Sequence, residues 1–574
     1  MHRADLVVLV AYFASMIAIG MVYSRQMHSI EAYFAGGKQL SWWIGGISFA
    51  MSYVSALSII VYAGLGYKYG IVALTLYWTI VPACALTTLL FARRWRRAGV
   101  ITPTEFLEQR FSPIIRQVFV WSGIPLKVID ESLKIVAIGV FVSATVRVHS
   151  PIAVTTVGLT ILGYAVLGGL WAVVVTDLVQ FILVIGAVLL LLPLTFRATG
   201  GLQSILARTP EHYFAPVHAP YGWLYVLSFL VLSTLSISGN WSLIQKFYAA
   251  RSDKDAIRLG WFATIIFILL PPIWITTGML ARGYLGVAQD PQSVYAELSV
   301  ALLPPGMLGL LVAALFAATM SVLSSGYNVM SAVLTLDVYR RILRPKAEHR
   351  ELVFVGRALT ALIALIVLAI ALLVTYFRWT IFDTMVAAFG FFLPPTVIPM
   401  LAGLWSSKLS TTGVLAGFVT GITTGLGFLL YCLFTRYHQI VDLQPLAIIL
   451  STALTIGVLV VFRLFFPARA ESARRASRFI EELRHSPRSV GQVSKSEMQL
   501  LTSPIRIAGI VIALMGATLI IIGLISLPGM HVNSMSLIMG GIFALIGLAM
   551  IASRSDRDQF QHPTDREALL DSIN

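Results

Sequence analysis

A carboxylate, Asp177, lies inside a long apolar run that follows the glycine pair Gly168 and Gly169. An ionisable residue near the centre of a membrane helix costs roughly 2.5–3.5 kcal/mol on insertion scales, so it usually lines a polar path or has a partner. Asp177 is therefore a candidate for guiding a cation. The plainer alternative is that the glycines form a tight turn and Asp177 caps a helix end.

Four charged residues, Lys127, Asp130, Glu131 and Lys134, interrupt another apolar run at spacings that place them on one helix face. Their formal charges sum to zero, but four unpaired charges would cost about 10 kcal/mol in total on insertion scales. They therefore need mutual pairing or a wet cavity. One interpretation is a polar face toward a substrate cavity, with a lysine offered to an anionic or polyhydroxyl solute. The other is a structural ladder of ion pairs, or charges nearer the membrane edge, and both remain open.

A third group of polar residues lies within the apolar run 306–336. Its members carry hydroxyl groups, namely Thr319, Ser321, Ser324 and Ser325. Hydroxyl and carbonyl oxygens are the hard ligands that a sodium ion prefers. The alternative is that these serines only pack, or hydrogen-bond back to the preceding helical turn.

The elements that position these residues follow from composition. Of 574 residues, 58% are hydrophobic and 12% are charged, against about 25% charged in soluble domains. Apolar runs long enough to cross a bilayer recur about fifteen times, and only helices satisfy the backbone of such segments in lipid. The sequence predicts an all-α polytopic membrane protein with about 15 transmembrane helices.

The net charge of +15 does not indicate nucleic-acid binding, because the basic residues are distributed according to membrane topology. With the N-terminus outside, most Lys and Arg residues fall in the loops on the inside, including the clusters at 93–97 and 340–350, which is the positive-inside pattern. The C-terminus is then cytoplasmic. Nucleotide-binding and hydrolase motifs are missing from the sequence, so we expect no enzyme and an ion gradient as the energy source.

Two spans are predicted to be interrupted near their middle. Small and polar residues cluster at 51–56 in the second span and at 236–241 in the seventh. Secondary transporters contain inverted repeats that each use a broken helix, and five spans separate these two clusters, as such repeats require. Small residues that allow close helix packing are the alternative.

The run 164–180 resembles the signature of the sodium:solute symporter family. The matching residues are Tyr164, Gly168, Gly169, Leu170, Ala172, Val173, Thr176, Asp177 and Gln180. Residues 33–38, 102–111 and 245–252 are similar to other motifs of that family, and the resemblance extends to about residue 466.

The resemblance implies a leucine-transporter-like fold of two inverted five-helix repeats with extra helices. It predicts a symporter core at 1–466, with repeats at about 41–195 and 222–404. A basic cytoplasmic linker at 467–503, a transmembrane hairpin at 504–552 and a cytoplasmic tail at 553–574 follow. In the linker, residues 469–484 are predicted either as solvated chain or as an amphipathic helix on anionic lipid.

The resemblance also implies a sodium site between the second and ninth spans. Its ligands are expected to be the carbonyls of Met51, Val54 and Ala318 and the hydroxyl of Ser321, with Asp177 on the ion pathway. The family's second hydroxyl position falls on Val322, which has no hydroxyl, so the site would have four protein ligands instead of five. Family members that carry sugars have a glutamine where this chain has Ser58, which removes one argument for a hexose.

We therefore expect a sodium-coupled symporter in the cell membrane that imports a small organic solute by alternating access. The solute is a sugar, sugar acid, amino acid or carboxylate, and the partners are that solute, sodium and membrane lipid, not nucleic acid. A membrane solute sensor or an uncoupled facilitator with the same fold are the alternatives. The candidate substrate-binding residues are Ser55, Ser58, Lys127, Glu131 and Asn240.

Overall fold

The structure is a computed structural model that describes residues 1–24, 40–98, 100, 102–165, 170–200, 206–286, 290–434, 440–468, 470–484, 504–524 and 534–552. The motif at 33–38 and the pair Gly168 and Gly169 lie outside the described residues. Among the described residues the regular elements are all helices. Isolated β-bridges occur, but these residues form no β-strand. The all-α prediction is confirmed.

The N-terminal half contains a first helix, a broken helix and the four spans that follow it. In chain order the helices are α1 (Arg3–Ser24), α2 (Trp42–Met51), α3 (Ala56–Tyr69), α4 (Val72–Trp78), α5 (Ile80–Leu90), α6 (Ala92–Arg97), α7 (Glu105–Arg110), α8 (Pro113–Val146), α9 (Ser150–Ala165) and α10 (Leu170–Ala198).

The C-terminal half begins with the second broken helix. Its helices are α11 (Trp223–Gly239), α12 (Trp241–Ala249), α13 (Asp253–Leu269), α14 (Pro271–Leu285), α15 (Val294–Leu302), α16 (Met307–Val333), α17 (His349–Tyr376), α18 (Ile381–Gly403), α19 (Thr411–Phe434), α20 (Ile440–Phe465), α21 (Ala470–Arg484), α22 (Pro504–Leu524) and α23 (Ser534–Ala552). A π-helical segment, Leu334–Leu343, extends α16.

Within the described residues, 11 helices are long and apolar enough to cross a membrane, or up to 13 if each of two bent pairs is one span. The charged helix α8 and the shorter helix α9 account for the remainder of the spans expected from the sequence. The chain is thus a multi-pass membrane protein.

The two predicted breaks are present. Helices α2 and α3 meet at 60°, and α11 and α12 meet at 49°. Side chains satisfy the new helix ends: Ser55 and Ser58 form a capping box at the start of α3, and the side chain of Asn240 accepts a hydrogen bond from the backbone N–H of Ser242, 3.0 Å away. Small polar residues therefore stabilise each break by capping the helix that follows it.

Helix α16 forms the centre of the bundle, since all of its residues are buried. A helix that is apolar all round and surrounded by other helices has no lipid-facing side. Its serines must therefore find partners inside the protein. Ser321 and Ser325 find them at the end of α2 and in α10, whereas Ser324 and Ser331 bond to carbonyls of α16 itself.

Helix α21 lies in the segment for which the sequence predicts either a solvated chain or an amphipathic helix on lipid. Its Phe479 ring stacks on Phe106 of α7 at 6.3 Å between centroids, and the Leu483 carbonyl accepts a hydrogen bond from Arg97. The apolar side of this helix thus packs on the protein itself, a contact that the sequence pattern did not predict.

Candidate functional site

The break between α2 and α3 lies directly against the hydroxyl-rich part of α16. The Ser321 hydroxyl donates to the carbonyl of Met51 at 3.1 Å, and the Ala56 N–H donates to the Thr319 hydroxyl at 3.1 Å. A third contact joins the hydroxyls of Ser52 and Ser325 at 3.2 Å. Backbone groups freed by the break are therefore paired with side chains of α16.

Asp177 joins this junction from α10. Its carboxylate is fully buried and accepts hydrogen bonds from the hydroxyls of Ser48 in α2 and Ser321 in α16. The residue lies well inside α10, so the alternative that it caps a helix end is wrong. Three helices thus direct oxygen atoms to one buried point, and one of those oxygens belongs to a carboxylate.

A buried lysine accompanies this carboxylate. Lys246 of α12 is fully buried, and its ammonium has no hydrogen-bond partner among the described residues. It interacts electrostatically with Asp177. The junction therefore contains an acid and a base that interact electrostatically without a hydrogen bond between them.

The four expected sodium ligands all lie at this junction or beside it. Met51 and Ser321 are in direct contact. Val54 lies in the break and Ala318 is adjacent to Thr319, and both are buried. Val322 is buried as well and offers no side-chain oxygen.

A cavity opens between the two breaks and α8. Four of the five expected substrate-binding residues line it, namely Ser55, Ser58, Lys127 and Asn240. The fifth, Glu131, is fully buried and does not line the cavity. Much of the remaining wall is aromatic, including Tyr53, Tyr62, Tyr77, Phe229 and Trp241.

The four charges of α8 form a closed set of ion pairs. The Lys127 ammonium lies 2.8 Å from Glu131 and 3.3 Å from Asp130, and the Lys134 ammonium lies 2.9 Å from each carboxylate. Each lysine therefore bridges both acids. Mutual pairing is present and three members also line the cavity, so the ion-pair ladder is observed and a role of this face toward a solute stays a prediction.

A second polar cluster closes around Asp337 in the π-helical segment. This buried carboxylate accepts hydrogen bonds from the hydroxyls of Thr102 and Thr104 and from the guanidinium of Arg116. Arg116 also pairs with Glu108 at 2.7 Å. Thr104 lines the cavity too, so this cluster ties the end of α16 to one wall of the cavity.

Sequence reasoning missed Ser48, Lys246 and the Asp337 cluster. Ser48 precedes Ser52 by one helical turn, which is a visible spacing. Lys246 is an ionisable residue in a predicted span and met the same criterion that identified Asp177. The Asp337 cluster had no local signal, because its members come from distant parts of the chain.

Two bent helices five spans apart, packed on a central buried helix beside a cavity, are the arrangement of the leucine-transporter-like fold. A solved structure of a sodium-coupled sialic acid symporter, bound to substrate in an outward-open state, shares this fold. Its TM-score is 0.69 at 18% identity, covering 82% of this chain and 99% of the other. The inward-facing structure of Mhp1 gives a TM-score of 0.50 at 11% identity, with 76% and 94% covered.

The chain belongs to the sodium:solute symporter family, whose model matches residues 33–421. It is 26% identical to the sodium/glucose cotransporter of Vibrio parahaemolyticus, covering 74% of this chain and 84% of that protein. It is 26% identical to human sodium/glucose cotransporter 4 (74% and 69% covered) and 25% identical to rat sodium/myo-inositol cotransporter 2 (74% and 70% covered). The predicted family and fold are confirmed.

Proposed function

We propose that this protein is a sodium-coupled symporter that imports a small organic solute across the cell membrane by alternating access. The observation that carries the proposal is the junction at which Met51, Ser321 and Asp177 direct oxygens from three helices to one buried point beside a broken helix. Hard oxygen ligands suit sodium, and a site between two helices of different repeats forms or opens as those helices move.

The sodium ligands that we propose are the carbonyls of Met51, Val54 and Ala318 and the hydroxyl of Ser321. Asp177 lies on the ion pathway, and its carboxylate supplies an oxygen and a negative charge where the chain lacks a hydroxyl at Val322. Lys246 is the resident positive charge that balances Asp177 when the site holds no sodium.

The solute is proposed to bind in the cavity at Ser55, Ser58, Lys127 and Asn240, with Glu131 acting behind the wall. The Ser58 side chain has a structural role as well, because its hydroxyl accepts from the Ser55 N–H and donates to the Ser55 carbonyl, at 2.8 Å each. The proposed orientation has the N-terminus outside and the C-terminus in the cytoplasm, which places the basic loops beside anionic lipid.

The proposal is tested by a thermal-shift screen of sugars, sugar acids, amino acids and carboxylates with and without sodium, followed by proteoliposome uptake of a solute that stabilises the protein. Concentrative uptake that requires an inward sodium gradient supports symport. Equilibration that ignores sodium identifies a facilitator, and binding without flux identifies a sensor, and either result overturns the proposal.

Ser321→Ala should raise the half-maximal sodium concentration for solute binding by about tenfold, with binding largely retained at saturating sodium, because it removes one of few cation ligands and a hydrogen bond. Sodium titrations of purified protein measure this. Ser331→Ala is the matched control, since Ser331 is buried in the same helix and its hydroxyl donates to the nearby Asn328 carbonyl at 3.0 Å. An unchanged value in Ser321→Ala would exclude Ser321 as a ligand.

Val322→Thr should lower the half-maximal sodium concentration by about threefold to tenfold, because it adds a hydroxyl of nearly the same shape beside Ser321. Val322→Ala, which adds no oxygen, should not lower it. If the threonine variant binds sodium no better than the wild type, the ligand set assigned here is in the wrong register on α16.

A further inference from the structure

The four charges on α8 do not face the cavity equally. Among the described residues that line it, the charged ones are Lys127, Asp130 and Lys134. The Glu131 side chain has 0% relative exposure, whereas that of Asp130 has 13%. The ion-paired set is therefore neutral as a whole, while the part presented to a solute carries a net charge of +1.

The position of Glu131 follows from its neighbour on α16. A Cβ atom built on Gly326 would lie 2.3 Å from a carboxylate oxygen of Glu131. The absence of a side chain at Gly326 thus lets this carboxylate pack directly against α16, at the edge of the charged face of α8. Glu131 holds both lysines from behind, so their charges are stabilised without a second acid in the cavity wall.

Each lysine retains hydrogen-bonding capacity toward the cavity. An ammonium has three N–H donors. The Lys127 and Lys134 ammonium groups each contact two carboxylates, at 2.8 to 3.3 Å. At least one donor on each is thus left without a carboxylate, and the two lysines line the cavity one α-helical heptad apart on the same face. A carboxylate has two oxygens and accepts from two such donors.

We infer that the solute is an organic anion with a single carboxylate, which binds between Lys127 and Lys134 at the point where Asp130 bridges them. This inference rests on the proposed symport function and names its substrate class. The aromatic wall around Tyr53 and Trp241 faces the remainder of the solute and favours a ring or another apolar face.

The test compares matched pairs of solutes on the purified full-length protein by thermal shift, with sodium or with potassium. The pairs are glucuronate and glucose, lactate and propane-1,2-diol, and benzoate and benzyl alcohol. We expect sodium-dependent stabilisation by at least one carboxylate and not by its neutral partner. Equal stabilisation by a neutral partner, or none by any carboxylate, overturns the inference.

Two variants then locate the site. Lys127→Met with Glu131→Gln keeps the set neutral but leaves the cavity with one lysine and Asp130, and should weaken binding of the carboxylate by about tenfold or more. Asp130→Asn removes the competing acid and should tighten binding of the carboxylate solute. Unchanged affinity in both variants would show that the carboxylate binds elsewhere.

Failure of this inference is distinguishable from failure of the proposed function. Sodium-dependent binding of a neutral solute that both variants leave unchanged would retain symport and reject the carboxylate. Carboxylate binding that is lost in the double variant but is equal in sodium and potassium would retain the substrate class and reject sodium coupling.

Discussion

Glu131→Gln should destabilise the protein by about 3–5 kcal/mol, the range found when one partner of a buried ion pair is removed. Glu131 is fully buried and contacts both Lys127 and Lys134, so its neutralisation leaves two lysines with one carboxylate. The melting temperature of the purified protein and the yield of monodisperse protein measure the loss.

A double-mutant cycle with Lys127→Met identifies the cause, because removing one lysine restores neutrality and should recover most of the stability. Asp130→Asn is the companion variant, since its side chain reaches the cavity and its loss should cost less. Additive effects of Glu131→Gln and Lys127→Met would contradict the pairing. A stable double variant that still bound its carboxylate normally would confine this face to a structural role.

Asp177→Asn should raise the half-maximal sodium concentration by more than the roughly tenfold expected of Ser321→Ala, since it removes the only formal negative charge proposed at the cation site. Asparagine keeps the shape but can accept from only one of Ser48 and Ser321, because the two hydroxyls bond to different carboxylate oxygens of Asp177. Sodium titration of solute binding, with potassium held as the balancing salt, gives the value.

The double variant Asp177→Asn with Lys246→Met separates ion binding from charge balance. Asp177→Asn alone leaves the Lys246 ammonium buried without a nearby acid, so the single variant should also lose thermal stability. The double variant should recover stability but not sodium affinity. If sodium affinity recovered together with stability, Asp177 would serve only as the counter-ion of Lys246.

Local composition predicted the membrane helices and the two breaks, whereas the family resemblance implied the leucine-transporter-like arrangement. The breaks follow from clusters of small polar residues in apolar runs, and the structure shows why such residues occur there, since Ser55, Ser58 and Asn240 cap the helices that restart. The central position of α16 and the burial of Asp177 follow from the same rule, that a polar residue in a membrane helix needs a protein neighbour.

The site itself was only partly predictable. Spacing placed Lys127, Asp130, Glu131 and Lys134 on one face, but the direction of that face depends on how α8 packs against α16. The inward position of Glu131 depends on Gly326, almost 200 residues away in the chain. Likewise, the contact of Asp337 with Thr102 and Arg116 joins residues that no local pattern connects.

The direct test is equilibrium binding of radioactive sodium to the purified protein, without added solute and with potassium as the competing salt. We expect saturable sodium binding that potassium does not displace. Binding should be weaker in Ser321→Ala, weaker still in Asp177→Asn, and unchanged in Ser331→Ala. Absence of saturable sodium binding, or identical binding in Ser321→Ala and Asp177→Asn, would contradict a sodium site at the junction of the broken helix with α16.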